Sequence, residues 1–118
     1  MSYDVSFRVK AEGIDYWIDT GYCDANITWN LREMIMASTG LDWKNCENNG
    51  LCKDIMPAIT KGYSELVNHS EKYKQYESPN GWGTIGGCIG FFKNIIDCWM
   101  MLKCDAEELT DVVCFWID

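Results

Sequence analysis

One stretch constrains the rest of this chain: Glu77-Ser78-Pro79-Asn80-Gly81-Trp82-Gly83-Thr84, which opens directly onto the longest apolar-periodic run, Ile85 to Leu102. Proline fixes φ while Asn and Gly tolerate positive φ, so Ser78-Pro79-Asn80-Gly81 is dense turn chemistry. Thr84 stands where an N-cap hydroxyl accepts a first-turn backbone N–H. A rigid turn launching a helix is therefore expected. With Phe92 at the centre of its face, Ile85, Cys88, Ile89, Ile95, Ile96 and Trp99 fall within roughly 60° at about 100° per residue, the mark of a core helix. Gly86, Gly87 and Gly90 each cost roughly 1 kcal/mol against Ala in a helix interior, so close packing against that end is expected.

Alternation governs the N-terminal part. Tyr3, Val5, Phe7, Val9 and Ala11 alternate with Asp4, Ser6, Arg8 and Lys10, the period of a half-buried strand. After Ala11-Glu12-Gly13, the residues Ile14, Tyr16 and Ile18 alternate with Asp15, Trp17 and Asp19, which predicts an N-terminal hairpin. Gly21 to Asn26 reads as a connector. A helix is expected from near Asn26 or Thr28 to Gly40, with Ile27, Leu31, Met34 and Ile35 inward and Trp29 and Met36 outward. Leu41 to Gly50 is a polar loop around Trp43. A second helix starts near Lys53 or Asp54 with Pro57 in its first turn and Ile55, Ile59, Gly62, Tyr63 and Leu66 on one face, Gly62 marking a close helix approach. Ser70 to Tyr76 adds a helical turn or two. Val112 to Ile117, apolar on both faces, suits a central strand beside the first.

The expected fold is α+β: an N-terminal β-hairpin, three or four helices, and a C-terminal strand completing a small, three-stranded, mainly antiparallel sheet in a single domain over residues 1–118. A chain of 118 residues builds one core, and 47% hydrophobic with 14% aromatic residues argues for a folded globule. No apolar run is read as reaching transmembrane length. The seven cysteines lack any C-x-x-C pair, and no signal-like apolar region precedes them. Reduced thiols in a cytosol are expected.

Composition narrows function as well. Ten Lys plus Arg against 18 Asp plus Glu give a net charge of −8, which disfavours direct nucleic-acid binding and favours a basic protein surface as partner, unless the acidity serves only solubility. A zinc site would need mostly irregularly spaced thiolates, with His69 the only histidine. No metal or other cofactor is expected. Gly81-Trp82-Gly83-Thr84-Ile85-Gly86 matches G-x-G-x-x-G, yet a Pro-Asn turn precedes it where a dinucleotide site needs a strand. A looser nucleotide site at Asn80, Gly81, Trp82, Gly83 and Thr84 is the alternative to a purely structural turn. A cysteine paired with His69 remains open for catalysis, whereas Asp15 with Asp19, or Glu107 with Glu108, read as solvated charge.

Several segments together carry a resemblance: Asp24-Ala25-Asn26-Ile27-Thr28-Trp29-Asn30, Ser38-Thr39-Gly40-Leu41-Asp42-Trp43, Asn49-Gly50-Leu51-Cys52-Lys53-Asp54, Glu71-Lys72-Tyr73-Lys74-Gln75-Tyr76 and Pro79-Asn80-Gly81-Trp82-Gly83-Thr84. From about residue 20 onward the chain resembles a group of small phage and prophage proteins of gut Firmicutes that have no assigned functional residues. The resemblance implies a counter-defence context, in which small acidic phage proteins occupy basic surfaces of host effectors, CRISPR effectors among them. The leading expectation is stoichiometric, non-enzymatic protein binding through Asp15, Asp19, Asp24, Glu107 and Glu108, with Trp17, Trp29 or Trp43 as anchors. A nucleotide-sequestering protein and a minor phage assembly protein are the alternatives. The glycines of the helices leave a homo-oligomer open.

Overall fold

The computed structural model describes residues 2–43 and 50–118. Five strands, β1 (Ser2–Val9), β2 (Ile18–Asp19), β3 (Ala25–Thr28), β4 (Gly50–Leu51) and β5 (Cys114–Ile117), form one antiparallel sheet. Among the described residues, four helices, α1 (Arg32–Thr39), α2 (Cys52–Asn68), α3 (Ser70–Tyr73) and α4 (Ile85–Asp105), complete the α+β fold. The order is β2-β1-β5-β4, with β3 also on β1, so the C-terminal strand lies beside the first and inside the sheet as expected.

The sheet has two more strands than the sequence predicts. Ala25 to Thr28, read as connector and helix start, instead pair with Val5 to Ser2, because Ala25 and Ile27 alternate inward against the same core as Tyr3 and Val5. Thr28 does act as a cap, but for a 3₁₀ turn over Trp29–Leu31 that runs into α1. The return strand of the hairpin is also shorter than expected. Only Ile18 and Asp19 pair, with Val9 and Arg8, and Tyr16 is left 64% exposed. Trp17 instead turns onto Trp116 of β5, and that aromatic contact overrides the alternation.

β2 and β3 therefore line the same edge of β1 as one interrupted strand, broken over residues 20–24. Thr20 bridges the break, its backbone N–H and its hydroxyl both donating to the Phe7 carbonyl at 2.8 Å. Inward residues of the sheet, Tyr3, Val5, Phe7, Phe115 and Ile117, meet Met34, Ile35, Ile59, Phe92, Ile95 and Leu102 from the helices. Trp43 plugs this layer, edge-on to Tyr3 at 5.3 Å and near Phe91 and Phe115.

α2 and α4 run antiparallel, and Gly62 is one point of close approach. A Cβ there would lie 2.5 Å from Thr39 Cγ2 and 3.0 Å from Phe92 Cε2, so the expected close approach is met by α1 and α4 together. Pro57 falls in the second turn of α2, not the first, so the Lys53 carbonyl lacks an i+4 N–H partner. Thr84 caps α4 as predicted, its hydroxyl accepting from Gly87 N at 3.0 Å. The expectation of packing at the α4 glycines fails: Gly86, Gly87 and Gly90 are exposed, and a Cβ on Gly90 would meet nothing within 4 Å. Those positions face water, and nothing in the structure explains glycine there. α4 is also long and apolar enough to cross a membrane, contrary to the sequence reading, although its Phe91, Phe92, Ile95 and Leu102 face the domain's own core.

Candidate functional site

The helices cover one face of the sheet and leave the other open. On a strand, successive side chains point to opposite faces, so the residues between the core positions form the open face: Asp4, Ser6 and Arg8 of β1, Asn26 of β3, and Trp116 of β5. The break between β2 and β3 opens a depression of about 420 Å³ in this face, lined by Asp4, Ser6, Arg8, Asp19, Asp24 and Asp118 among others. Four carboxylates thus surround one guanidinium.

Hydrogen bonds fix the lining before any partner arrives. Asn26 Nδ2 donates to Asp4 Oδ1 at 2.7 Å and to Ser2 Oγ at 2.9 Å. Arg8 donates from Nε to Ser6 Oγ at 3.0 Å and from Nη2 to Asp118 Oδ2 at 3.3 Å, while Trp116 Nε1 donates to the other Asp118 oxygen at 3.1 Å. Asn94 Nδ2 on α4 reaches the Asp24 carbonyl at 3.5 Å and ties the break to the helical layer. Beside the depression runs an aromatic ledge. Trp17 and Trp116 lie 5.8 Å apart, with Arg8 4.7 Å from the Trp116 ring and Lys10 5.5 Å from the Trp17 ring. Partly exposed aromatic surface next to fixed carboxylates can receive a basic side chain by charge and its methylene stem by contact.

The structure gathers some of the expected binding residues and scatters others. Asp19 and Asp24 line the depression and Trp17 forms the ledge. Asp15 stands fully exposed in the hairpin loop, 3.5 Å from Lys10. Glu107 and Glu108 occupy an exposed 3₁₀ turn before β5. Because β5 enters where Cys114 pairs with Arg8, that turn leaves the sheet at the same end as the hairpin loop, outside the depression. Trp29 sits at the other end, its Nε1 donating to the Ser2 carbonyl at 2.8 Å and its ring 5.9 Å from Tyr3. Trp43 must be withdrawn as a surface anchor: it is 5% exposed and belongs to the core. The rest of its loop, residues 44–49, and Cys46 lie outside the described residues. Asp4, Arg8, Trp116 and Asp118 were missed. The alternation of β1 already put Asp4 and Arg8 outward, but the β5 run was read as apolar on both faces.

The alternative nucleotide site is occupied by the chain's own groups. Glu77 Oε2 accepts from Ile85 N at 2.9 Å, so a carboxylate already sits where a phosphate would bind the α4 N-terminus. Asn80 Oδ1 accepts from Trp82 N at 3.0 Å, Gly81 takes φ 77°, and the Trp82 carbonyl accepts from Asn30 Nδ2 at 3.1 Å. Asn80 to Thr84 act here as turn, strap and cap, with the Trp82 ring 70% exposed.

All six described cysteines are free. Burial pushes the Cys88 thiol up to about 12, and raises Cys23 and Cys52 further, with Cys98 adding to the effect at Cys23. Such thiols resist becoming thiolate nucleophiles. His69 is exposed at the junction of α2 and α3. Among the described residues, no group of three or more His, Cys, Asp or Glu side chains is arranged to hold a metal ion. Compared with known proteins, the chain matches no family model, no curated protein and no solved structure.

Proposed function

We propose that this chain acts by stoichiometric binding to a protein, its open sheet face set against a basic surface. The observation that carries the reading is the depression of four carboxylates, Asp4, Asp19, Asp24 and Asp118, immediately beside the Trp17–Trp116 ledge. Fixed carboxylates supply orientation and rapid encounter, and the tryptophans supply contact area that desolvates on docking. Nothing in this arrangement calls for a cofactor, and the reading needs no chemistry beyond binding. The resemblance to phage and prophage proteins supplies the finer proposal: a counter-defence inhibitor in a bacterial cytosol, with an anti-CRISPR blocking an effector's nucleic-acid groove as its most specific form.

Capture from a phage-host lysate tests the reading, comparing the native chain with Asp19→Lys/Asp24→Lys, Trp17→Ala and Asp15→Lys. The expected result is a stoichiometric partner whose capture drops at least tenfold with the first two variants and little with the third. Salt should weaken capture steeply, since exposed charges beyond a Debye length are screened. Capture indifferent to Asp19, Asp24 and Trp17 would remove the site from this face.

A further inference from the structure

The helical side of the molecule carries a surface of the opposite chemistry. Between the N-terminal half of α2 and the C-terminal half of α4 lies a groove of about 680 Å³, lined by Lys53, Met56, Pro57, Thr60, Ile96, Trp99, Met100 and Lys103. In a chain with 18 acidic and 10 basic residues, this lining contains two lysines and, among the described residues, no carboxylate. Both lysines stand at one end, where the start of α2 meets the end of α4. Beyond the other end of the lining, Gly62 of α2 packs closely against Phe92 of α4.

We infer that this groove is a docking site for an amphipathic helical segment of a partner protein, one whose carboxylates cluster at one end of its apolar stripe. Shape, surface and charge each support that occupant. The walls span positions 53 to 60 and 96 to 103, about 10 Å at 1.5 Å rise per residue, which matches two turns of a helix laid between two antiparallel neighbours. Met100 is 56% exposed and Met56 lies at the floor, and methionine adapts to apolar anchors spaced at i, i+3 or i+4, and i+7. Lys103 is held 5.8 Å from the Trp99 ring, and Lys53 is ion-paired with Asp111 at 3.5 Å, an exposed pair weak enough for an incoming carboxylate to displace. The site is independent of the sheet face and of the reading built on it.

The test is selection of displayed helical peptides of random sequence against the full chain, followed by binding of the enriched peptide to Met100→Lys, Lys53→Glu/Lys103→Glu and Asp19→Lys/Asp24→Lys proteins. All of these positions are on the surface, and circular dichroism verifies that each variant folds. The expected peptides place apolar residues at helical spacing with Asp or Glu grouped at one end. They bind at least tenfold more weakly to the first two variants and unchanged to the third. Failure to enrich any peptide, enrichment of basic peptides, or equal binding to the groove variants would overturn the inference. So would a native dimer in sedimentation equilibrium that Met100→Lys dissociates, since the groove would then belong to a second copy.

Discussion

The open sheet face and the α2–α4 groove belong to one small domain and are built in different ways. On the sheet face, polar groups are already tied to one another, Asn26 to Asp4, Arg8 to Ser6 and Asp118, Trp116 to Asp118, so its pattern of charge exists before contact. In the groove the polar groups are two long lysine heads at one end and the Thr60 hydroxyl, and the rest is apolar surface that includes the exposed Met100. The first arrangement favours orientation and encounter rate, the second favours buried area. The difference shows that a net charge of −8 describes neither surface: it averages an acidic depression with a basic-rimmed cleft.

The most severe way to break the comparison is to remove what supports both surfaces. Trp43→Ala deletes the ring wedged against Tyr3, Phe91 and Phe115 and should cost about 3–5 kcal/mol, read as a lowered urea midpoint. A loss below about 1 kcal/mol would show that the sheet and helices do not depend on it. Gly62→Ala separates the two surfaces. The new methyl meets Thr39 Cγ2 at 2.5 Å and should cost about 1–3 kcal/mol, disturbing peptide binding in the groove while partner capture by the sheet face persists. Equal damage to both would mean that the surfaces are mechanically linked.

Alkaline pH gives the smallest and most graded effect. Cys23 borders the acidic depression, whereas among the described residues no thiol lines the groove. Its folded pKa is raised above the ordinary 9.0, chiefly by burial, so the protonated thiol is favoured in the native state. The resulting stabilisation is fully present below about pH 9 and is lost as pH rises toward the folded value, at about 1.4 kcal/mol per pH unit. Hydrogen exchange across residues 20–24 should therefore quicken above pH 9 before exchange along α1, a helix without cysteine, does, and Cys23→Ala should flatten that dependence. Identical onset in both regions would contradict the assignment.

Regular periodicity made much of the fold legible. The cap at Thr84, the helical face of Phe92, Ile95 and Trp99, the stop at Gly40 and the pairing of the terminal strands all follow from local patterns that tertiary packing reinforces. The strands Ala25–Thr28 and Gly50–Leu51 did not show, the first because it is too short for alternation to outweigh the cap-forming residues Asn26 and Thr28. The acidic residues Asp19 and Asp24 were recognised, but their convergence depends on the interruption between β2 and β3. Trp116 was hidden by its apolar neighbours, and Trp43 was misplaced because turn-forming residues around it suggested exposure. The groove gave no sequence signal at all, since it exists only where α2 and α4 lie side by side.

The pairing of β1 with β5 bears on how the domain is reached in time. Arg8 and Asp118 meet across 110 positions, so the centre of the sheet forms only after a very long loop has closed. α1 packs on α2 and α2 on α4 across shorter separations than this. Refolding should therefore be slow for a domain of this size, and the acidic face, which exists only on the completed sheet, should be the last part of the molecule to acquire its shape.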